Sequence, residues 1–245
     1  MRVFAAILLL TLVSSVTFAE TRFVEVEVTL RTGQGTGYSI VQMIRSGTPV
    51  EVLQEDPDNA LLQDLQSDMQ AAQGRPIQSV FFGGGTPSLF SVDGIDRLMR
   101  GIAARLPLAT DLEATMEANP GSAEAVKFSG FRAAGINRLS IGVQSFQDAQ
   151  LRALGRIHDA AAALAAVSAA RAAGFDSFNI DLMHGLPGQD TALAARYLQQ
   201  AMATGAPHIS WYQLTLEPNT VFHKQPPRLP EENLLADIQD RGESL

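Results

Sequence analysis

Strand-forming and helix-forming segments alternate along the chain from residue 74 onward, at intervals of about 25 to 40 residues. Five short segments are predicted strands, at 79–82, 113–117, 138–143, 177–182 and 208–214, and the first of them consists largely of β-branched and aromatic residues. The intervening segments, rich in Ala, Leu and Arg, predict helices at 92–106, 123–134, 149–173 (broken near Gly155) and 191–203. Because parallel strands need helical crossovers, the pattern predicts an α/β fold of the β/α-barrel type.

Polar residues stand at or just beyond the carboxyl end of every predicted strand. They are Gly83 to Thr86, Glu117 and Asn119, Gln144 and Ser145, Asn179, Asp181 and His184, and finally Gln213, Thr215 and Glu217. The active site of a β/α barrel is built from such positions, on the rim formed by the strand ends. A single polar strand end could be a helix cap, but five in succession predict a small-molecule site.

The first of these strand ends carries three consecutive glycines, Gly83 to Gly85, followed by Thr86 and Pro87. Glycines permit positive φ and let a ligand approach the main chain closely. The segment is not a dinucleotide fingerprint, and it lacks the lysine of a phosphate loop. From these residues alone, a ligand-binding loop and a tight turn without a ligand are equally good interpretations.

Individual polar residues also have structural interpretations. Glu117 could be a solvated strand end, and Gln144 could cap the following helix. Arg156 follows Gly155 in a helix break, where it could lie on the surface or reach an anionic group. Asp181 interrupts an apolar strand and needs a hydrogen-bonding partner if it is buried, which favours a functional role.

The amino-acid composition excludes several classes of function and of binding site. Apolar residues make up 46% of the 245 residues and the net charge is −8, without a Lys/Arg cluster, which argues against nucleic-acid partners. The chain contains no cysteine, which excludes disulfides, thiolate-bound zinc, an all-cysteine iron–sulfur cluster and a cysteine nucleophile. The four histidines lack metal-ligand spacing, so we expect no metal site and assign no catalytic residue.

The first 58 residues differ in character from the rest. Residues 1–19 have the charged start, the apolar core and the small-x-small end of a secretory signal, and the apolar run is too short for a comfortable transmembrane span. Residues 20–58 alternate strand-like segments with a glycine-rich loop at 32–38. This stretch resembles about half of a bacterial SH3-like domain, a resemblance that implies binding of cell-wall or peptide ligands.

Residues 59–245 resemble the heme chaperone (HemW) and oxygen-independent coproporphyrinogen III oxidase-like family of radical S-adenosylmethionine (SAM) proteins. The resemblance rests on FFGGGTPSL, MEANPG, GINRLSIGVQSF, LGRIH, FNIDLMHGLPGQ and SWYQLTLEPNT, in matching order and spacing. It implies a partial TIM-like β/α barrel that holds SAM across its strand ends. The SAM-contacting positions of the family fall on Gly85, Thr86, Glu117, Gln144, Arg156, Asp181 and Thr215.

The chain departs from this family in two respects. The family binds a [4Fe–4S] cluster through three cysteines after its first strand, and that strand and loop are replaced here by the signal-like and SH3-like stretch. The barrel is also expected to be truncated at both ends, with open sheet edges unless the N-terminal strands cover one. We therefore expect a SAM-binding protein of heme metabolism that cannot cleave SAM, with heme as a further candidate ligand.

The two halves of the chain imply different locations. The barrel segment implies a cytoplasmic protein by resemblance, whereas the signal-like segment implies export. The alternative function is accordingly an exported SH3-like ligand-binding protein that carries the barrel segment as a passenger.

Overall fold

The computed structural model describes residues 61–245 except 63, 67, 68, 70, 71, 73, 85 and 219, together with the backbone of five short strands before residue 52. Two compact units divide the chain, Met1–Ala114 and Thr115–Leu245. No helix in the described part of the chain is long and apolar enough to cross a membrane.

The five N-terminal strands are β1 (Ile7–Leu10), β2 (Thr21–Phe23), β3 (Val28–Arg31), β4 (Ile40–Ile44) and β5 (Pro49–Glu51). Strand β2 pairs with β5 and β3 pairs with β4, both antiparallel. The expectation of a β-rich segment is thus confirmed in its strands, while the loop at 32–38 and the junction at 56–58 lie outside the described residues. The SH3-like interpretation stays a prediction.

Strand β1 runs parallel to β6 (Ile77–Phe82), with Ile7 beside Ser79 and Leu10 beside Phe82. The apolar core of the predicted signal sequence therefore contains a strand, and this strand covers an edge of β6, which is the exception that we allowed for the N-terminal strands. Cleavage after Ala19 would remove it.

The described residues between 61 and 72 are helical, with Leu61 and Leu65 buried. A 3₁₀ turn (Pro87–Leu89) leads from β6 to helix α1 (Val92–Ala103), where the Ser91 hydroxyl accepts a hydrogen bond from the Gly94 N–H at 3.0 Å. Helix α1 ends three residues before the predicted boundary. Strand β7 (Leu108–Ala118) is six residues longer than predicted, and it runs from the first unit into the second.

The second unit contains the carboxyl end of β7 and the strands β8 (Arg138–Gln144), β9 (Ser177–His184) and β10 (His208–Gln213), all parallel and adjacent in chain order. Its helices are α2 (Ser122–Ala125), α3 (Phe128–Ala133), α4 (Asp148–Ala153), α5 (Ala160–Ala172), α6 (Thr191–Ala203), α7 (Val221–Lys224) and α8 (Glu232–Glu243). The predicted helix at 123–134 is two helices, and the predicted break near Gly155 separates α4 from α5. The expected α/β parallel arrangement is confirmed.

The strands of the second unit have one apolar and one polar face. Leu139, Ile141 and Val143 of β8 and Ile180 of β9 are fully buried, and helices α5 and α6 pack against β8 and β9. The alternate residues, which point to the other face, are small or polar except for Met183. A purely structural parallel sheet would be apolar on both faces, so this polar face marks the place of a site.

Candidate functional site

Three neighbouring strands contribute to one hydrogen-bonded network on the polar face. Register places Ser140 of β8 beside Asn179 of β9, and Asp181 of β9 beside Ser210 of β10. The Asp181 carboxylate accepts from the Ser140 hydroxyl and from the Asn179 amide, each at 2.8 Å. Asn179 also donates to Ser140 at 3.0 Å and accepts from Ser210 at 3.0 Å. Because both amide hydrogens and the carbonyl of Asn179 are engaged, this residue holds Asp181 in one orientation.

Burial raises the pKa of Asp181, and hydrogen bonds from Ser140 and Asn179 oppose the rise. The carboxylate is half-buried, and it has more acceptor positions than these donors occupy. Asp181 therefore meets the expectation of a partnered carboxylate in an apolar strand, and it can accept further hydrogen bonds from a ligand.

Gln144 lies at the carboxyl end of β8 with only 5% of its surface exposed and with φ at +66°. Its Oε1 accepts a hydrogen bond from the Tyr212 hydroxyl at 2.7 Å. The cap of helix α4 is Gln147, without a side-chain hydrogen bond, so the alternative that Gln144 caps this helix is wrong. The neighbouring Ser145 does support the turn, since its hydroxyl accepts from the Gln147 N–H at 3.1 Å.

Tyr212, which we did not assign to the site from the sequence, is influenced by three of its charged residues. Burial raises its pKa, and the negative charges of Asp181 and Glu117 add to the rise, while Arg156 opposes it. The structure thus places Glu117, Arg156 and Asp181 close enough to one tyrosine to affect its ionisation. The sequence did contain a signal for Tyr212. Side chains alternate between the two faces of a strand, so Tyr212 is the next residue after Ser210 on the polar face of β10.

Arg156 is half-buried, and its backbone N–H donates to the Leu151 carbonyl at 2.8 Å, which closes the end of α4. Its guanidinium makes no hydrogen bond or ion pair with another described residue. A half-buried cation of this kind, whose charge reaches Tyr212, is available to an anionic group of a ligand.

The other predicted site residues are placed differently. Thr215 lies beyond the end of β10, is exposed, and donates to Glu217 at 3.0 Å, so it does not join the network. Thr86 precedes the 3₁₀ turn of the first unit, where its carbonyl accepts from the Leu89 N–H at 3.0 Å. Gly85 lies outside the described residues.

Two of the four histidines are packed into the second unit. His184 is 1% exposed, stacks on Trp211 with ring centroids 4.3 Å apart, and has its pKa lowered by burial. His158 contacts the Val143 carbonyl at 3.1 Å through Nε2, and burial also lowers its pKa. His208 and His223 are exposed. Within the described ranges, no three His, Cys, Asp or Glu side chains are grouped so that they could hold a metal ion.

The radical SAM superfamily model matches residues 48–198. This chain belongs to the radical SAM superfamily. It is 51% identical over 195 residues to the heme chaperone HemW of Escherichia coli K12, a match that covers 80% of this chain and 52% of that protein. It is 49% identical over 199 residues to HemW of Haemophilus influenzae, with the same coverage. The chain therefore spans about half the length of these relatives.

Among solved structures, coproporphyrinogen III oxidase (HemN) from Escherichia coli, a radical SAM enzyme, matches with a TM-score of 0.68 and 29% identity. The match covers 76% of this chain and 44% of that chain. It confirms the predicted partial barrel of the radical SAM type. The family implies SAM and a [4Fe–4S] cluster, but the 245 residues include no cysteine, so the donors present do not fit the cluster.

Proposed function

We propose that this chain is a HemW-like protein that binds SAM on the polar face of β7 to β10 and does not cleave it reductively. The observation that carries the proposal is the pair formed by Asp181 and Gln144. The Asp181 carboxylate retains acceptor capacity, Tyr212 donates to the Gln144 carbonyl, and the Gln144 NH₂ group is an available donor. A ribose diol can both donate and accept, and it would satisfy the two groups together.

This assignment revises one expectation. From the sequence, both Asp181 and Gln144 could accept from ribose hydroxyls, whereas the hydrogen bond from Tyr212 takes one of the two acceptor positions of the Gln144 carbonyl, and we assign its NH₂ group as the donor to the ribose. Arg156 is the proposed partner of the SAM carboxylate, because a guanidinium binds carboxylates through paired hydrogen bonds. Roles for Glu117, Gly85, Thr86 and Thr215 toward SAM stay predictions from the family resemblance.

The proposal gives the chain no radical chemistry. In the family, the electron that cleaves SAM comes from the iron–sulfur cluster, and this chain offers no cysteine to hold one. We expect no 5′-deoxyadenosine after reconstitution with iron, sulfide and a reductant. Formation of that product above the level of a no-protein control would contradict the proposal.

Isothermal titration calorimetry with SAM tests the binding site, with Asp181→Ala as the variant and Asp176→Ala as the matched control. Asp176 is exposed and precedes β9 at its amino end, so its carboxylate is absent from the network. We expect saturable binding by the wild type and by Asp176→Ala, and at least tenfold weaker binding by Asp181→Ala. No SAM binding by the wild type, or equal affinity in all three proteins, would refute the proposal.

Heme is a second candidate ligand, because two relatives at about half identity are named heme chaperones. In the described part of the chain, His158 and His184 are engaged in packing and hydrogen bonding. We therefore propose that any heme binding leaves these two residues unligated. A hemin titration followed by absorbance should show the same spectrum for the wild type and His158→Gln, and loss of a Soret shift in that variant would contradict this.

We propose that the protein is cytoplasmic, as the resemblance of the barrel segment implies, and that it keeps strand β1 because the N-terminal segment is not cleaved. Fractionation of a C-terminally tagged chain should recover the full-length protein in the cytoplasm. Recovery of a chain that starts at Glu20 outside the cytoplasm would favour the alternative of an exported SH3-like protein.

A further inference from the structure

We infer that Tyr212 is a positioning residue of the SAM site, and that it fixes the Gln144 amide so that its NH₂ group faces the ligand. The inference rests on the proposed SAM-binding function. The inference adds Tyr212 to that site. The role of Tyr212 is to determine whether the oxygen or the NH₂ group of the Gln144 amide faces the ribose.

The hydrogen bond between these two side chains crosses a strand. Gln144 belongs to β8 and Tyr212 to β10, while β9 lies between them. Neighbouring strands are about 4.8 Å apart, so the bond bridges roughly 10 Å of sheet. Register places Gln144 beside Leu182 and Tyr212 beside Met183. The bridge therefore passes over β9 within two residues of Asp181, on the proposed ligand face.

Three features of the structure bear on the placement of Gln144. Its backbone is in the left-handed region, which is strained for a non-glycine residue and persists only where the surroundings impose it. A Cβ at Gly142 would lie 3.1 Å from the Gln144 Nε2, so only glycine leaves ordinary room for the amide. Tyr212 then restrains the opposite atom, Oε1, at 2.7 Å.

Tyr212 acts as a donor throughout the usual pH range. Burial raises its pKa and the negative charge of Asp181 adds to this effect, while Arg156 opposes it. A phenol can donate to an amide carbonyl or accept from an amide NH₂ group, and in the structure Tyr212 donates to Oε1 at 2.7 Å, which turns the NH₂ group away. Without the phenol, the amide could rotate by 180° and present either atom to the ribose.

The test is a double-mutant cycle in SAM affinity, measured by calorimetry on Tyr212→Phe, Gln144→Ala and the double variant. We expect Tyr212→Phe to bind SAM about threefold to tenfold more weakly. In the double variant, Tyr212→Phe should add little to the loss of SAM affinity that Gln144→Ala causes, because the phenol acts only through the amide. Fully additive losses, or wild-type affinity in Tyr212→Phe, would overturn the inference.

A second variant avoids any dependence on how Tyr212→Phe folds. Gln144→Glu keeps an oxygen that accepts from Tyr212 but replaces the NH₂ group with another acceptor, so we expect at least tenfold weaker SAM binding. Unchanged affinity in this variant would show that no donor is needed there. The 2′-deoxy analogue of SAM provides an independent readout. The wild type should bind this analogue more weakly than it binds SAM, and the difference between the two affinities should be smaller in Tyr212→Phe.

The two proposals fail in different ways. If the wild type does not bind SAM, or if Asp181→Ala binds it normally, the SAM site itself is wrong and the role of Tyr212 falls with it. If the wild type binds SAM and Asp181→Ala does not, but the cycle shows no coupling between Tyr212 and Gln144, only the positioning role is wrong.

Discussion

Replacing Asp181 with Asn separates the ligand-binding role of this carboxylate from its structural role. The substitution keeps the shape of the side chain and removes its charge. The oxygen of the new amide can still accept from Asn179, and its NH₂ group would face the Ser140 hydroxyl. That hydroxyl can accept a further hydrogen bond, so the network can close again around the amide, with the Ser140 hydrogen as the one donor that loses its acceptor.

Two opposing effects set the stability of Asp181→Asn. Loss of the charge-assisted hydrogen bonds lowers the free energy of unfolding by on the order of 1 to 3 kcal/mol. Because the variant no longer buries a charge, its free energy of unfolding rises by a similar amount. We therefore expect a net change within about 1 kcal/mol, or within about 4 °C in Tm for a domain of this size. Binding has no such compensation, because a charged acceptor for the ribose is lost. SAM affinity should fall roughly 10- to 150-fold.

The pH dependence has a defined sign. Burial raises the pKa of Asp181 above its ordinary value of 3.8, so the folded state binds this proton more tightly than the unfolded state does. The resulting stabilisation is fully present below the unfolded pKa and is lost as the pH rises through the folded pKa. The wild type should therefore gain in Tm relative to Asp181→Asn as the pH falls from about 7 toward 4.

Differential scanning fluorimetry from pH 4 to 7, combined with SAM calorimetry at pH 7, measures both quantities on the same preparations. A drop in Tm of more than about 10 °C for Asp181→Asn would refute the argument that the network can close around an amide. Wild-type SAM affinity in the variant would refute the role of the charge. A Tm difference that changes with pH in the opposite direction would refute the sign of the pKa shift.

Two further predictions concern the packing of the chain. A Cβ at Gly242 would overlap the indole of Trp211, so Gly242→Ala should destabilise the second unit by about 1 to 3 kcal/mol and change the emission of the single tryptophan. Gly101→Ala is the control, because its new Cβ would meet only the movable methyl ends of Leu62 at 2.5 Å, and an equal loss there would contradict the prediction. Deletion of residues 1–19 removes β1 and uncovers an edge of β6, which should increase self-association in size-exclusion chromatography. An unchanged elution volume and Tm would contradict that role of β1.

The fold class and most of the strand positions could be predicted from the sequence because they depend on local pattern. Runs such as those before Gln144 and around Asp181 alternate apolar and polar residues at the period of a strand, and the spacing between runs leaves room for one helix each. Asp181 could also be singled out, since a carboxylate in an apolar strand has few structural explanations.

The tertiary structure decided which of these residues meet and what each one can do. Tyr212 and Gln144 are 68 residues apart, and only the order of β8, β9 and β10 makes them hydrogen-bonding partners. The sequence favoured a signal over an N-terminal strand at Ile7–Leu10 because this apolar run has the composition of a signal sequence, and its pairing with β6 is a non-local event. Local sequence determines the conformation and face of each residue, whereas strand register determines which donors find which acceptors, and that register is a property of the whole sheet.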